Sequence, residues 1–325
     1  MNFPRALFGI FHAVLVLALA STGGIAFAQV WPTKPIRWVV SFAPGGLADT
    51  VSRSAAQQLS IKLGQPIIIE NRGGANGSLA ASFVAKAPAD GYTLLTGSTG
   101  THAINPHLYK DLPYDPLKDF VPVAGLVDYE LVLVVKPTAK WKTFGDFIAD
   151  AKARPGALNY GSAGPGASNH MVSEMLGVLA GTRFVHVPFK GDGPSLLALL
   201  GDQIDFMFMP ISTALPFARD GKLRMLATTG ATRSPKTQDV PLAKDTVPQM
   251  EFAGWNGIFA PAGTPREIVE RIAREMPAIL NSPEMAKAMD GVNNAATTPD
   301  AFAARLRSEY QFWETIVKRS GARVN

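Results

Sequence analysis

The chain of 325 residues carries 31 basic and 26 acidic side chains, five histidines and no cysteine, for a formal net charge of +5. The lack of cysteine excludes disulfides, thiolate catalysis, cysteine metal ligands and a lipid-modified N-terminal cysteine, so the fold rests on its apolar core. The positive charge is spread without a basic block or interleaved aromatics, which argues against a nucleic-acid partner and leaves a weak bias toward anionic ligands.

The first predicted element is an export signal. Arg5 lies in a short n-region, Ala6 to Ala20 is almost continuously apolar, and Ala26-Phe27-Ala28 supplies a small-x-small cleavage site before Gln29. The apolar stretch is shorter than the roughly 20 residues of a membrane-spanning helix, and Ser21 to Gly24 interrupts it. Cleavage after Ala28 is expected. The remaining chain is long enough to bury about 75% of its unfolded surface, usually as two domains.

From Ile36 onward, short β-branched runs alternate with helical patterns, the signature of βαβ units and a largely parallel sheet. Ile36 to Phe42 reads as a strand, Gly45-Gly46 as a turn, and Val51, Ala55, Leu59 and Leu63 as the apolar face of a helix closed by Gly64. A second unit follows: a strand at Pro66 to Glu70, a glycine loop at 73–77, a helix capped by Ser78, and a strand at Tyr92 to Thr96. The proline-rich passage from Asn105 to Pro122 reads as irregular. Beyond it lie strands at Leu131 to Val135, Leu158 to Tyr160, Phe184 to Val187, Ile204 to Met209 and Leu223 to Thr228, with a helix opened by Thr143 and Asp146. A last strand at Gly257 to Ala260 precedes three helices opened by Thr264-Pro265, Ser282-Pro283 and Thr298-Pro299, expected to return to the first domain.

The strand-to-helix turns carry the candidate chemistry. In Ser41-Phe42-Ala43-Pro44-Gly45-Gly46-Leu47-Ala48-Asp49 the glycines let backbone N–H groups approach a ligand, and a helix N-terminus favours an anion. Taken alone, this loop is read more plainly as an ordinary tight βα turn. A second loop at 160–168 repeats the logic with Gly161, Gly164, Gly166 and Ser168, and in open α/β sheets ligands sit at the carboxyl ends of strands, where both loops fall. Ser98, Thr99 and Thr101 offer hydroxyl donors after a third strand, and Lys190-Gly191 follows a fourth; a solvated loop lysine is the plain alternative for Lys190.

Enzyme signatures are poor. No turn reads G-x-S-x-G, and neither glycine loop reads G-x-G-x-x-G nor G-x-x-x-x-G-K-[ST], so a nucleophile elbow and nucleotide sites lack their fingerprints and no cofactor is expected. The histidines form no H-E-x-x-H pair; His102 and His107 are close in sequence but lack a third metal ligand nearby. Asp205 is a candidate buried base, or a structural carboxylate on a strand.

Ser41 to Gly46 with Asp49, Glu70-Asn71-Arg72, Ala87-Pro88-Ala89-Asp90-Gly91-Tyr92, Ile104-Asn105-Pro106, Leu112-Pro113-Tyr114-Asp115, Val187 to Gly191 and Ala260 to Pro265 together resemble the Bug/TctC family. These are periplasmic solute receptors of tripartite tricarboxylate transporters, and the resemblance spans the chain beyond the signal. It implies a type II periplasmic-binding-protein fold, α/β, with two domains hinged around a ligand cleft. Domain one is then 29–127 with 253–325, domain two 128–252, and the crossovers lie near Val127 to Val132 and Gln249 to Gly254. It further implies a periplasmic monomer that passes a small carboxylate to membrane permease subunits. A sensor docking on a signalling receptor, or a periplasmic hydrolase using Asp205 or a cleft serine, are the alternatives.

The resemblance places the ligand carboxylate against Phe42, Ala43, Pro44, Gly45, Gly46 and Asp49 on one side, and Ser162, Gly166, Ala167 and Ser168 on the other. Backbone donors suit a carboxylate whose lone pairs must be satisfied away from water. Two departures bear on specificity: Leu47-Ala48 stands where glycine and a hydroxyl residue are common, and Met209-Pro210 where a polar pair is common. The expected ligand therefore has one carboxylate and an apolar or aromatic body, rather than being an amino acid or citrate.

Overall fold

In the computed structural model, which describes residues 31–324, the glycines and apolar spacing of the first unit yield β1 (Ile36–Val40), α1 (Leu47–Leu63), β2 (Ile67–Asn71), α2 (Ser78–Ala85) and β3 (Thr93–Ser98). The expected export signal lies outside the described residues. β1 is the centre of a parallel trio, with Ile36 opposite Ile67 and Arg37 opposite Thr93. The helical spacing holds: Val51, Ala55, Leu59 and Leu63 are buried, and Gly64 ends α1 in a left-handed conformation (φ 71°) with its N–H on the Ser60 carbonyl. The cap expected at Ser78 is absent. Gly77 holds the N-cap position at φ 82° with no side-chain cap, and Ser78 Oγ accepts from Asn105 Nδ2 at 3.0 Å.

After a π-helical turn over Gly100–Ile104 and the short α3 (Asn105–Leu108), the chain enters β4 (Phe120–Val135). This strand is 16 residues long, where the spacing predicts only Leu131 to Val135. Pro122 suggests irregular structure, yet it sits where the register against β9 (Ala253–Pro261) shifts between Pro122 and Ala124, a place where a missing ladder N–H is tolerated. β4 pairs antiparallel with β9 from Phe120 to Glu130, then with β7 (Phe206–Pro210) and β8 (Arg224–Thr228) from Leu131 to Val135. One strand therefore serves two sheets. With β5 (Asn159–Ser162) and β6 (Val185–Pro188) the order is β2-β1-β3-β9-β4-β7-β5-β6, and the short β10 (Asn293–Asn294) also pairs with β4. The sheets are mixed, because β9 runs against β3 and β4, and β4 against β7.

The second half carries α4 (Phe144–Ala153), α5 (Ser168–Ala180), α6 (Asp192–Leu200) and α7 (Ile211–Arg219). The Thr143/Asp146 capping box of α4 forms as its sequence predicts, worth about 1 kcal/mol. Of the three expected Thr/Ser-Pro helix starts only one forms in full: Thr298 caps α9 (Pro299–Ser320) by accepting from the Ala301 N–H. Thr264 instead bonds the Pro261 carbonyl ahead of α8 (Arg266–Leu280), and Ser282-Pro283 opens only a single 3₁₀ turn over Pro283–Met285.

α8 buries Ile268, Ile272 and Met276 against Trp38, Ala55 and Leu59 of the first half. α9 does more than cover that half. Its Trp313, Ile316 and Val317 enter a core shared with Met175, Leu176 and Phe206 of the second half and Ile104 of the first.

Candidate functional site

The carboxyl ends of β1, β3, β5 and β7 converge on a cavity of about 240 Å³, the volume share of about eight water molecules. Phe42, Gly46, Leu47, Ala48, Asn76, Ser98 and Gly100 line it from the first half; Ala163, Ala167, Ser168, Asn169, Asp192 and Pro210 line it from the second. Tyr129, Leu131 and Asn256 form its floor from the two strands that cross between the halves. A larger cavity of about 740 Å³ lies between α8 and the start of α9, but no loops from opposing strand ends meet there.

Helices α1, α5, α6 and α7 all begin at the cleft. The first-turn N–H groups of Leu47 and Ala48 in α1, and of Ser168 and Asn169 in α5, have no protein acceptor among the described residues. Facing helix N-termini thus present unpaired donors, each reinforced by a partial positive charge. Among the described residues no lysine, arginine or histidine lines the cavity, so an anion there would be held by backbone dipoles.

Both loops are braced from behind. Asp49 accepts from the Gly45 N–H at 2.9 Å, from Asn71 Nδ2 at 2.8 Å and from Arg53. Burial disfavours its ionised form, but Arg53, the Gly45 amide and Asn71 together outweigh this and hold the carboxyl below its ordinary range. In the second loop Asn169 Oδ1 accepts from the Ala163 N–H at 3.1 Å and the His170 N–H at 3.0 Å, while the Gly166 N–H donates to His170 Nδ1 at 3.0 Å. Across the gap, Asn76 Nδ2 donates to the Gly166 carbonyl at 2.6 Å.

Of the residues singled out from sequence, Phe42, Gly46, Ser98, Ala167 and Ser168 line the cavity. Ala43, Pro44 and Gly45 shape the same loop without lining it, and Asp49 braces it. Thr99 and Thr101 are fully buried: Thr99 Oγ1 accepts from the Trp255 N–H at 3.0 Å, and Thr101 Oγ1 bonds the Ser98 N–H and His102 Nδ1, both at 2.8 Å. Gly166 contributes its carbonyl to the cross-cleft bond. Ser162 turns away from the cavity to His186 Nε2, 2.6 Å from its hydroxyl.

Four residues expected at the cleft, Lys190, Gly191, Asp205 and Met209, do not line it. Lys190 is exposed and Gly191 is the N-cap of α6, its N–H on the Ala163 carbonyl, and neither lines the cleft. Asp205 lies just ahead of β7, at the amino end of the strand opposite the cleft, where it accepts from the Asn159 N–H at 2.7 Å. Met209 is buried with Val132, Ile211 and Ala214, because β7 is covered on both faces: Phe206 and Phe208 enter one core, Met207 and Met209 the other. Pro210 takes its place at the cavity wall. His102 and His107 make separate contacts, to Thr101 and to the Tyr310 carbonyl, and no cluster of three metal-ligating side chains occurs among the described residues.

Asn76, Tyr129, Asn169 and Asp192 were not legible as cleft residues from their spacing. Tyr129 O–H bonds Ser168 Oγ at 2.9 Å. Asp192 sits in the first turn of α6 and accepts from Asn169 Nδ2 at 2.7 Å; burial raises its pKa, and the Asn169 bond opposes the rise.

The family model described as "Tripartite tricarboxylate transporter family receptor" matches residues 51–322. The chain belongs to this TctC family. Protein BugT of Bordetella pertussis is 33% identical over 330 residues, covering 100% of both chains. Among solved structures, R. palustris Rpa4515 with adipate is 34% identical at a TM-score of 0.81, covering 90% of this chain and 100% of that one. MatC (Rpa3494) from Rhodopseudomonas palustris, with bound malate, is also 34% identical, with a TM-score of 0.78, covering 88% of this chain and 100% of that one. TctC members are solute receptors of transport systems, and the two neighbours carry carboxylates; this chain shares their two-lobed periplasmic-binding-protein fold.

Proposed function

We propose that this TctC protein is an exported periplasmic receptor that captures one small organic carboxylate between its lobes and hands it unchanged to membrane permease subunits of a tripartite tricarboxylate transporter. One observation carries the reading: the free N–H groups at the starts of α1 and α5 meet at one small cavity that, among the described residues, contains no basic side chain. Such donors satisfy a desolvated carboxylate at low reorganisation cost, since the loops are already braced by Asp49 and Asn169.

In this reading the lobes are residues 29–127 with 253–325 and residues 128–252, and they rotate about β4 near Asp128 to Leu131 and about the chain entering β9. Phe42, Leu47, Leu131 and Pro210 favour a short apolar stem on the ligand. The bonded Ser162–His186 pair does not argue for hydrolysis, since Ser162 does not face the cleft.

The test is a thermal-shift panel on residues 29–325 against mono-, di- and tricarboxylates and amino acids. A ligand at a hundred times its dissociation constant stabilises the protein by about 2.7 kcal/mol, well within the assay. Stabilisation by one class of acid supports the receptor; no stabilisation by any carboxylate in protein freed of carried-over ligand by unfolding and refolding rejects it.

A further inference from the structure

Asp192 puts a negative charge into the cleft that the receptor reading has not used. It is partly exposed, it lines the cavity, and its neighbour Asn169 fixes how it is presented. Asn169 Oδ1 is committed to two backbone donors, the Ala163 and His170 N–H groups, so its amide cannot flip and Nδ2 must point at Asp192 Oδ1. Asp192 is thereby held as a hydrogen-bond acceptor in the first turn of α6, where the helix dipole and the Asn169 bond favour its ionised form and burial opposes it. It makes no ion pair among the described residues, and the rest of the wall is apolar side chains, hydroxyls and amides.

A carboxylate ligand seated on the α1 and α5 amides would meet this second negative charge inside a cavity of about 240 Å³. Two like charges that close are repulsive unless something cationic lies between them, and none of the described residues supplies a cation there. We propose, resting on the carboxylate-receptor reading, that the ligand supplies it: the bound solute is a small zwitterion whose carboxylate takes the free helix N–H groups and whose ammonium donates to Asp192. This reverses the expectation of a purely apolar ligand body: Pro210 does make one wall apolar, while Asp192 supplies the polar group from another element.

Calorimetric titration of the refolded protein with α- and ω-amino carboxylates, and with isosteres in which the ammonium is replaced by methyl, hydroxyl or carboxylate, decides the matter. The expected result is at least one amino member binding tenfold or more tighter than each of its isosteres. In Asp192→Asn, checked for an unchanged fold by circular dichroism, that preference is lost or inverted; Asp192→Ser repeats the test with a smaller side chain. Methyl or carboxylate isosteres binding as tightly as the amino parent, or an unaltered ranking in both variants, overturns the zwitterion while leaving the carboxylate receptor standing. No binding by any member removes both.

Discussion

Asn76 of the first lobe and Gly166 of the second are joined by a 2.6 Å hydrogen bond from the Asn76 amide to the Gly166 carbonyl, directly across the mouth of the cleft. Asn76 reaches it from a left-handed backbone (φ 49°), a conformation asparagine adopts more readily than most residues. Its amide also donates to Asn105 Oδ1 at 2.8 Å, so the bridging side chain is aimed before the lobes meet.

In the receptor reading a bond across the cleft favours closure, so deleting it weakens ligand binding through the closure equilibrium. Asn76→Gly keeps the left-handed backbone accessible and removes only the side chain. Loss of a bond worth about 1 kcal/mol predicts affinity about fivefold weaker by calorimetry, with a faster ligand off-rate. An unchanged dissociation constant would show that the bridge does not favour closure.

Leu47→Pro tests the backbone donors. Leu47 is the first residue of α1, where proline is tolerated, and Gly46 before it (φ −80°, ψ 173°) already has a conformation suited to a following proline. The variant deletes one N–H while sparing the helix. Relative to Leu47→Ala, which controls for the lost side chain, affinity for a carboxylate should drop roughly ten- to a hundredfold, as for a bond to a charged group worth about 1.5–3 kcal/mol.

Asp49 and Asp205 separate bracing from bystander roles. Asp49→Ala frees the Gly45 amide and Asn71, lowering both stability and ligand affinity. Asp205→Ala loses its bond to the Asn159 N–H and should cost about 1 kcal/mol in a urea melt, with the dissociation constant unmoved. A binding defect in Asp205→Ala would return that residue to the functional site.

Acid sensitivity has a definite sign. Burial lowers His102 to about 3; burial and the stacked His186 lower His170 to about 3; burial lowers His186 to about 4. These histidines are neutral in the fold and take up protons on unfolding once the pH falls below about 6.5. Their contribution is complete above that value and is lost progressively as pH falls toward 4. Buried carboxyls whose values burial raises, among them Glu130, Glu174 and Glu309, act in the opposite direction as they protonate. Below pH 6.5 the histidine contribution to stability should fall, each histidine removing up to about 1.4 kcal/mol per pH unit. His102→Gln should be less stable at pH 7 yet show a flatter slope; a slope equal to that of the parent rejects the assignment.

The parts of the fold that were readable are those where local chemistry decides conformation. Gly64 could close α1 and Thr143 with Asp146 could open α4 because turns and caps are short-range. Pro122 misled because it borders a bulge in β4 that is defined only against β9, a distant segment, and that bulge removes the usual objection to proline in a strand. At the site, the glycine loops announce themselves, whereas Asp192 looks like any acidic residue starting a helix and Tyr129 like one more residue in an apolar strand. The family resemblance points to Met209 at the cleft, and the pattern of the strand does not correct it, because a strand buried on both faces shows no alternation to say which side chains look where. Asp205 was avoidable: it precedes its strand, and ligands gather at the other end.

The sharing of β4 between two sheets also sets a timetable. β3 gains its second neighbour only when β9 exists, and the bond from the Trp255 N–H to Thr99 spans 156 residues of chain. During synthesis the early sheet is left with a bare edge, and β4 waits for partners made much later. A product truncated ahead of Ala253 would display that edge permanently and would be prone to pair with its neighbours. The polypeptide is made from its first residue, but its architecture is completed by one of its last strands.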